Sequence, residues 1–251
     1  MSLLETHKLR KHFGFLHAVD DVDFIVEQGE VLALIGSNGA GKTTLVNVIS
    51  GLLRADGGQI LFHGTDLTHL SVYDRIRAGI ARSFQIVNLF DHLTSYDNIA
   101  LPIFSREGKT RRLTSLADKD GAVRQEALEV LNQYGLESKR NVLAGVLSQG
   151  ERKLLDVAVA HALHPRLLFL DEPTSGVSTR EKAPIMDIIT SVVRSGGITA
   201  VIIEHDMDVV FKYSDRIVVM HQGTILAQGT PDEIRRNEQV SMTLLGAPAL
   251  T

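Results

Sequence analysis

The chain has 251 residues, of which 44% are apolar and 22% charged, with a formal net charge of −4 and no cysteine. That length suits one ordinary domain, or one domain with a small insertion, with enough chain to bury a substantial core. The negative balance argues against nucleic acid as a partner, because phosphate binding needs a positive field; the missing cysteine excludes disulfides, thiolate metal sites and cysteine nucleophiles.

Glu5, His7, Lys8, Arg10, Lys11 and His12 fall early in the chain with no apolar stretch after them, so a signal peptide is not expected. The first thirty residues read as β, with Val22, Phe24 and Val26 alternating with polar positions and Gln28, Gly29 and Glu30 making a turn. Residues 31–35 form a continuous apolar run, the pattern of a strand buried on both faces. A glycine-rich loop follows, and a helix starts near Lys42. Gly57, Gly58 and Gly64 bracket a short strand at 59–63. From about 86 to 164 little β pattern remains. Residues 118–134 predict an amphipathic helix with Val123, Ala127, Val130 and Leu131 on one side. Residues 105–119, with Arg106, Lys109, Arg111, Arg112 and Lys119, read as an exposed, solvated connection. β/α alternation then returns: a strand at 167–170, a helix at 180–193 with Pro184 placed near its first turn, where proline is tolerated, and a buried strand at 198–203. Residues 216–220 and 224–228 flank His221, Gln222 and Gly223 as a hairpin. The apolar runs are strand-length, whereas a membrane span needs about 18 such residues, so the chain is not expected to cross a bilayer. The pattern implies an α/β core with an inserted helical subdomain and antiparallel strands at the N-terminal side.

Gly36, Ser37, Asn38, Gly39, Ala40, Gly41, Lys42 and Thr43 match G-x-x-x-x-G-K-[ST] in full, between a buried strand and a helix. Glycines let the backbone curl so that its N–H groups point at phosphate oxygens, and the helix N-terminus adds positive partial charge. Lys42 is expected to reach the β- and γ-phosphates and the Thr43 hydroxyl to bind Mg²⁺. The run at 167–170 ends in Asp171 and Glu172. A carboxylate at the end of an apolar strand suits a Mg²⁺ ligand, here Asp171, and Glu172 suits a general base that polarises the attacking water.

Further residues carry a family resemblance. Leu147, Ser148, Gln149, Gly150 and Glu151 resemble the ABC signature, usually L-S-G-G-Q/E, and lie just upstream of the Asp-Glu strand. Gln85, after Ser83 and Phe84, resembles the Q-loop glutamine. His205, at the end of the next apolar strand, resembles the switch histidine. Ser175, Gly176, Val177 and Ser178 stand at the D-loop position, and Phe13 stands where the family places an aromatic ring against adenine, with Phe15 as a competitor. On these residues the chain is similar to ABC ATP-binding proteins over nearly its whole length. The resemblance implies a P-loop NTPase (RecA-like) core with an N-terminal antiparallel β subdomain and an inserted α-helical subdomain at 86–164, within a single nucleotide-binding domain at 1–251. It implies ATP and Mg²⁺, with Thr44 joining the nucleotide contacts, Thr43, Gln85 and Asp171 on the metal, and Glu172, His205 and Gln85 in catalysis. It also implies that Ser148, Gln149, Gly150 and Glu151, with Ser178, complete the ATP site of a second ATP-binding subunit, so that two domains face head to tail. Two departures stand out: Gln149 replaces the first signature glycine, and Ser178 stands where many members have Asp.

The helical insert is short, only one phosphate loop is present and no fused membrane domain is expected, a combination that resembles a stand-alone importer subunit. Residues 79–85, Leu89, Phe90 and 229–235 are similar to the branched-chain amino acid uptake group, whose relatives handle urea, amides and other small polar or aromatic acids. The lipopolysaccharide-export ATPase is similar in the same segments, and a soluble ABC ATPase without a membrane partner is a further alternative. The importer resemblance implies membrane permease subunits, a periplasmic or extracellular solute-binding protein, and a peripheral location on the cytoplasmic face of the cell membrane. Ile86, Val87, Leu89, Phe90 and Tyr96 would line the groove for a permease coupling helix, or else belong to the helical-subdomain core.

Overall fold

The computed structural model describes residues 1–83, 88–108 and 120–245. The chain divides into two compact units, one built from Met1–Ala78 with the segment from Ile198 onward, the other from Gly79–Gly197. The first unit begins with β1 (Ser2–Phe13), β2 (Leu16–Val22), β3 (Ile25–Glu27), β4 (Val31–Gly36), α1 (Lys42–Ile49), β5 (Gly57–Phe62), β6 (Thr65–Asp66) and α2 (Val72–Ala78). The second contains β7 (Ile80–Ser83), α3 (Ser95–Arg106), α4 (Gly121–Gln133), α5 (Gln149–His161), β8 (Leu167–Asp171) and α6 (Thr179–Ser195). The chain then returns to the first unit with β9 (Thr199–Ile203), α7 (Met207–Tyr213), β10 (Arg216–His221), β11 (Thr224–Gly229), α8 (Pro231–Arg236) and α9 (Glu238–Leu245).

In the first unit, β2, β1, β5 and β6 pair in that order as antiparallel neighbours, and β3 adds to β1. Val22, Phe24 and Val26 are all buried, as their alternation predicts. Phe24 falls between two strands, where the buried Thr6 hydroxyl accepts from its N–H at 2.9 Å and donates to the Val22 carbonyl at 2.9 Å. That side chain supplies the pairing the ladder lacks at the break. A second group runs β11-β10-β4-β9, with β4 parallel to both β10 and β9 and β11 antiparallel at its edge. Every residue of β4 is buried, the reason its sequence shows no alternation. Ala33 and Ile35 of β4 and Ile217 and Val219 of β10 join Val210, Ile234 and Val240 from the three C-terminal helices in one core cluster. The β10–β11 hairpin turns through Gln222 and Gly223, both at positive φ (46° and 81°), the geometry that suits the twist of a two-residue hairpin loop. Thr230 caps α8 in reciprocal hydrogen bonds with Glu233, so the tail at 229–235 also serves as a helix start.

In the second unit β7 and β8 are parallel neighbours, and α3, α4 and α5 pack together. Val123, Ala127, Val130 and Leu131 form the buried side of α4, as expected. The helix starts at Gly121 behind an Asp120 cap; positions 118 and 119 of the predicted span lie outside the described residues. Two expectations are corrected. Arg106 is no solvated loop residue: it ends α3 and makes paired 2.7 Å hydrogen bonds to both Glu126 oxygens on α4, with a further one to the Ala162 carbonyl at 2.8 Å. A planar guanidinium matches a carboxylate in this way, and the contact draws Glu126 below the usual carboxylate range. The remainder of that basic run, 109–119, lies outside the described residues. Pro184 is the sixth residue of α6, beyond the first turn, where it has no N–H to give to the carbonyl of residue 180. Strand β7 and helix α3 carry no clear signal in the sequence. Among the described residues, no helix is long and apolar enough to cross a membrane.

Candidate functional site

The phosphate loop leaves β4 at Gly36 and enters α1 at Lys42. Gly36 has φ 153°, and a Cβ there would lie 2.3 Å from the Met220 carbonyl oxygen of β10. Gly41 has φ 102°, and a Cβ there would lie 2.2 Å from the Ala18 carbonyl oxygen of β2. Neither position admits a side chain, because neighbouring backbone lies against the loop on two sides. Gly39, at φ 80°, faces open space and is required for conformation alone. Gly223 donates from its N–H to the Ala40 carbonyl at 3.0 Å, so the β10–β11 turn braces the loop, and Ala40 donates to Ser37 at 3.1 Å to close it. Lys42 is buried, and its Nζ donates to the carbonyls of Gly36 at 2.7 Å and Ser37 at 3.1 Å. A charged phosphate oxygen is a stronger acceptor for this ammonium than a neutral carbonyl. Ser37, Asn38 and Thr43 are exposed and Thr44 half-buried. A curled backbone, a buried ammonium and exposed hydroxyls fit a polyphosphate, and the Thr43 hydroxyl suits a hard cation such as Mg²⁺.

The same unit brings His205 beside this loop. Strand β9 is parallel to β4, with Ile203 opposite Leu34, so His205 and Gly36 leave neighbouring strands at the same end. His205 is exposed, and its backbone N–H donates to the buried Glu204 carboxylate at 3.2 Å. Phe13 ends β1 with its ring exposed and the Lys11 ammonium 5.5 Å from its centroid; Phe15, in the following turn, is more exposed still.

In the second unit, β8 is buried throughout and delivers Asp171 at its end. Arg82 of β7 meets it, Nη2 to Oδ2 at 2.5 Å, with the two side chains 7% and 6% exposed. Glu172 follows at φ 47°, a left-handed conformation that costs a non-glycine residue about 1–3 kcal/mol and concentrates at functional positions. Its carbonyl accepts from the Ser175 N–H at 3.0 Å and from Lys153 Nζ at 3.1 Å, and Lys153 also donates to Ser175 Oγ at 2.9 Å. Lys153 belongs to α5, so the helix that the signature opens is tied directly to the Asp-Glu turn.

Ser148 caps α5: its hydroxyl accepts from the Glu151 N–H at 3.3 Å, while Glu151 accepts from the Ser148 N–H at 2.8 Å. Glu151 also pairs with Lys139 at 3.0 Å; the Ser148 backbone hydrogen bond leads in holding its carboxyl below the ordinary range. Its carboxylate is thus engaged in capping. Gln149 is exposed in the first turn, where a side chain in place of the usual glycine meets no obstruction. Gly150 is buried, and a Cβ there would come within 3.2 Å of Ile185 Cδ1, so this glycine lets α5 approach α6. Ser178 opens α6 and donates its hydroxyl to Glu181 at 2.6 Å, which leaves its oxygen as an acceptor. Gln85, with Ile86 and Val87, lies outside the described residues.

Three functional contacts have no counterpart in the sequence reading: Arg82 on Asp171, Lys153 on the Glu172 turn, and the Met220, Gly223 and Ala18 backbone around the loop. For the first the sequence offers no signal, because β7 is too short to show that Arg82 is buried and so in need of an acid.

The family described as ABC transporter matches residues 19–175. The chain is 37% identical to the high-affinity branched-chain amino acid transport ATP-binding protein BraF of Pseudomonas aeruginosa, over 97% of this chain and 98% of that protein. It is 32% identical to the lipopolysaccharide export system ATP-binding protein LptB of Haemophilus influenzae, over 98% of each. A crystal structure of the ADP conformation of an ATP-binding cassette of an ABC transporter superposes with a TM-score of 0.87 at 30% identity, covering 98% of this chain and 100% of that one.

Proposed function

This chain belongs to the ABC transporter family of ATP-binding proteins, which hydrolyse ATP, and from that premise we propose that it energises an importer for branched-chain amino acids or related small polar or aromatic acids. The observation that carries the ATPase role is the phosphate loop: backbone closes on it at Gly36 and Gly41 where no side chain fits, and Lys42 is turned onto it. The cargo class is supported by similarity along nearly the whole chain to BraF.

In this reading the loop N–H groups and Lys42 take the phosphates, and Ser37, Asn38 and Thr44 line the nucleotide with them. Thr43, Asp171 and Gln85 would hold Mg²⁺, which when bound neutralises charge on the phosphate oxygens. Glu172 accepts the proton of the attacking water, and its left-handed backbone fixes the direction from which the carboxylate departs. His205 orients the same groups, and Phe13 stacks on adenine. The start of α5, where Ser148 and Gln149 are exposed ahead of the buried Gly150, completes the site of a second ATP-binding subunit arranged head to tail, and hydrolysis releases the pair as the working stroke.

A membrane partner is supported by an exposed apolar patch. Phe90 is 62% exposed, yet its backbone is fixed in both directions by the buried Asn98, which accepts from the Phe90 N–H at 2.9 Å and donates to its carbonyl at 3.2 Å. Leu143 and Val146 are exposed on the adjoining loop, joined to it by Ala144 N–H to Leu93 O at 2.9 Å, by Gly145 N–H to Asp91 O at 3.0 Å and by the Arg152–Asp91 pair. Exposed apolar side chains on a hydrogen-bonded framework are what docking of a permease segment requires, and the exposure of Phe90 supports that reading over the core assignment. Peripheral attachment to the cytoplasmic face of the membrane and a solute-binding protein in the same system follow from the importer reading.

The resemblance to LptB favours lipopolysaccharide export as the second reading. Purification of the chain from native membranes in mild detergent separates the two. Multi-span permeases, a second ATPase and a solute-binding protein in the eluate support import. Permeases without a solute-binding protein favour export, and soluble partners alone refute both.

A further inference from the structure

We propose that His12, His17 and Asp20 form a binding site for a divalent transition-metal ion of the Zn²⁺ class, on the hairpin that carries Phe13. His12 and His17 are register partners across β1 and β2. Their rings stack with centroids 4.1 Å apart and planes 28° apart. Asp20 Oδ1 lies 3.4 Å from His17 Nδ1, and one donor atom from each of the three residues lies within 4.8 Å of the other two.

A stacked imidazole pair with a nearby carboxylate also occurs simply as a solvated cluster. That account leaves one atom unexplained: His12 Nε2 is shut off from solvent and has no hydrogen-bond partner. A buried polar nitrogen without a partner is costly, and such atoms are rare in folded chains. Ligation of a metal ion satisfies it. The lone pairs of stacked rings lie in nearly parallel planes and do not converge as they stand, so one ring must turn for a single ion to meet both nitrogens. The His17 side chain is 54% exposed and has room to do so.

Two imidazoles and one carboxylate are a borderline donor set. They suit Zn²⁺, Ni²⁺ or Cu²⁺ and disfavour Mg²⁺, which takes oxygen ligands and retains its waters. The site is therefore chemically distinct from the Mg²⁺ expected at the phosphates. Its location gives it reach: Phe13 follows His12 in β1, and Ala18, whose carbonyl lies against Gly41, follows His17 in β2. An ion joining the two strands stiffens the hairpin between Phe13, which stacks on adenine in the reading proposed above, and the phosphate loop.

The test is titration of Zn²⁺ into the tag-free, nucleotide-free chain, against a chromogenic chelator and with Mg²⁺ in excess. One Zn²⁺ per chain is expected. His17→Gln should weaken binding by about tenfold or more, since loss of even an outer-shell partner costs a metal site ~10–100-fold. His12→Gln should do the same, and the exposed His7→Gln on the same strand should bind as the native chain does. Absence of Zn²⁺ binding by the native chain, or binding unchanged by His17→Gln, overturns the proposal. His17 is a surface residue, so that second outcome does not depend on whether the His12 variant folds.

Discussion

Arg82→Met removes the guanidinium from Asp171 while leaving the methylene stem in place. The two side chains are 7% and 6% exposed, so water cannot replace the lost partner and the energetic discount for an exposed pair does not apply. Breaking a buried pair from one side leaves an uncompensated charge and costs about 3–5 kcal/mol. For a chain of this size each kcal/mol moves Tm by about 2–4 °C, so a loss of about 10 °C is expected. Urea unfolding of the nucleotide-free protein at neutral pH, followed by circular dichroism, measures the difference directly. Asp171→Asn in the same background removes the stranded charge. The double variant should therefore recover much of the loss, with a coupling energy between the sites of roughly 2 kcal/mol or more. An Arg82→Met protein within about 1 kcal/mol of the native one, or a strictly additive double variant, would refute the reasoning that Arg82 is the buried partner that holds Asp171 in place.

Glu172→Gln should bind ATP as the native chain does, lose turnover by about 10²–10⁴-fold, and elute as an ATP-dependent dimer in size-exclusion chromatography; native turnover would remove Glu172 from the role of base. Gly41→Ala places a methyl group against the Ala18 carbonyl at a left-handed φ, and fluorescent-nucleotide titration should show binding abolished while Gly39→Ala, with open space around it, loses less. Burial pushes the His161 imidazole down to about 4, with His164 lowering it further and Glu126 partly opposing, beside the buried Tyr134 ring. Below its ordinary value of 6.5 the unfolded chain takes up a proton that the folded chain refuses, so stability should fall as pH drops from 6.5 to about 4. The loss is about 1.4 kcal/mol per pH unit at most. Urea midpoints at pH 7.5, 5.5 and 4.5 should show that slope, and His161→Phe should flatten it.

The phosphate loop, the strand that ends in Asp171 and the helix that Ser148 opens were legible because each is written in consecutive residues. Apolar runs report strands buried on both faces, and glycine followed by lysine and a hydroxyl reports a loop that must curl around an anion. The amphipathic side of α4 was equally plain, because helical period repeats within one segment. Short β7 was not, since four residues carry too little pattern to distinguish a strand from a loop, and with it Arg82 went unassigned. The engagement of Arg106 is hidden for a related reason: a basic run looks the same whether its first member faces water or a carboxylate on another helix.

By itself, then, the sequence determined the chemistry on offer: the phosphate-binding loop, the acidic pair, the signature and the candidate base, all of which depend on neighbours along the chain. Only the tertiary structure decided why Gly36 and Gly41 admit no side chain, which cation holds Asp171, how Lys153 ties α5 to the Glu172 turn, and that His12 and His17 stack. Those contacts join segments far apart in sequence or on opposite strands. No local period encodes them, and they arise only when the packed backbone brings the partners within reach.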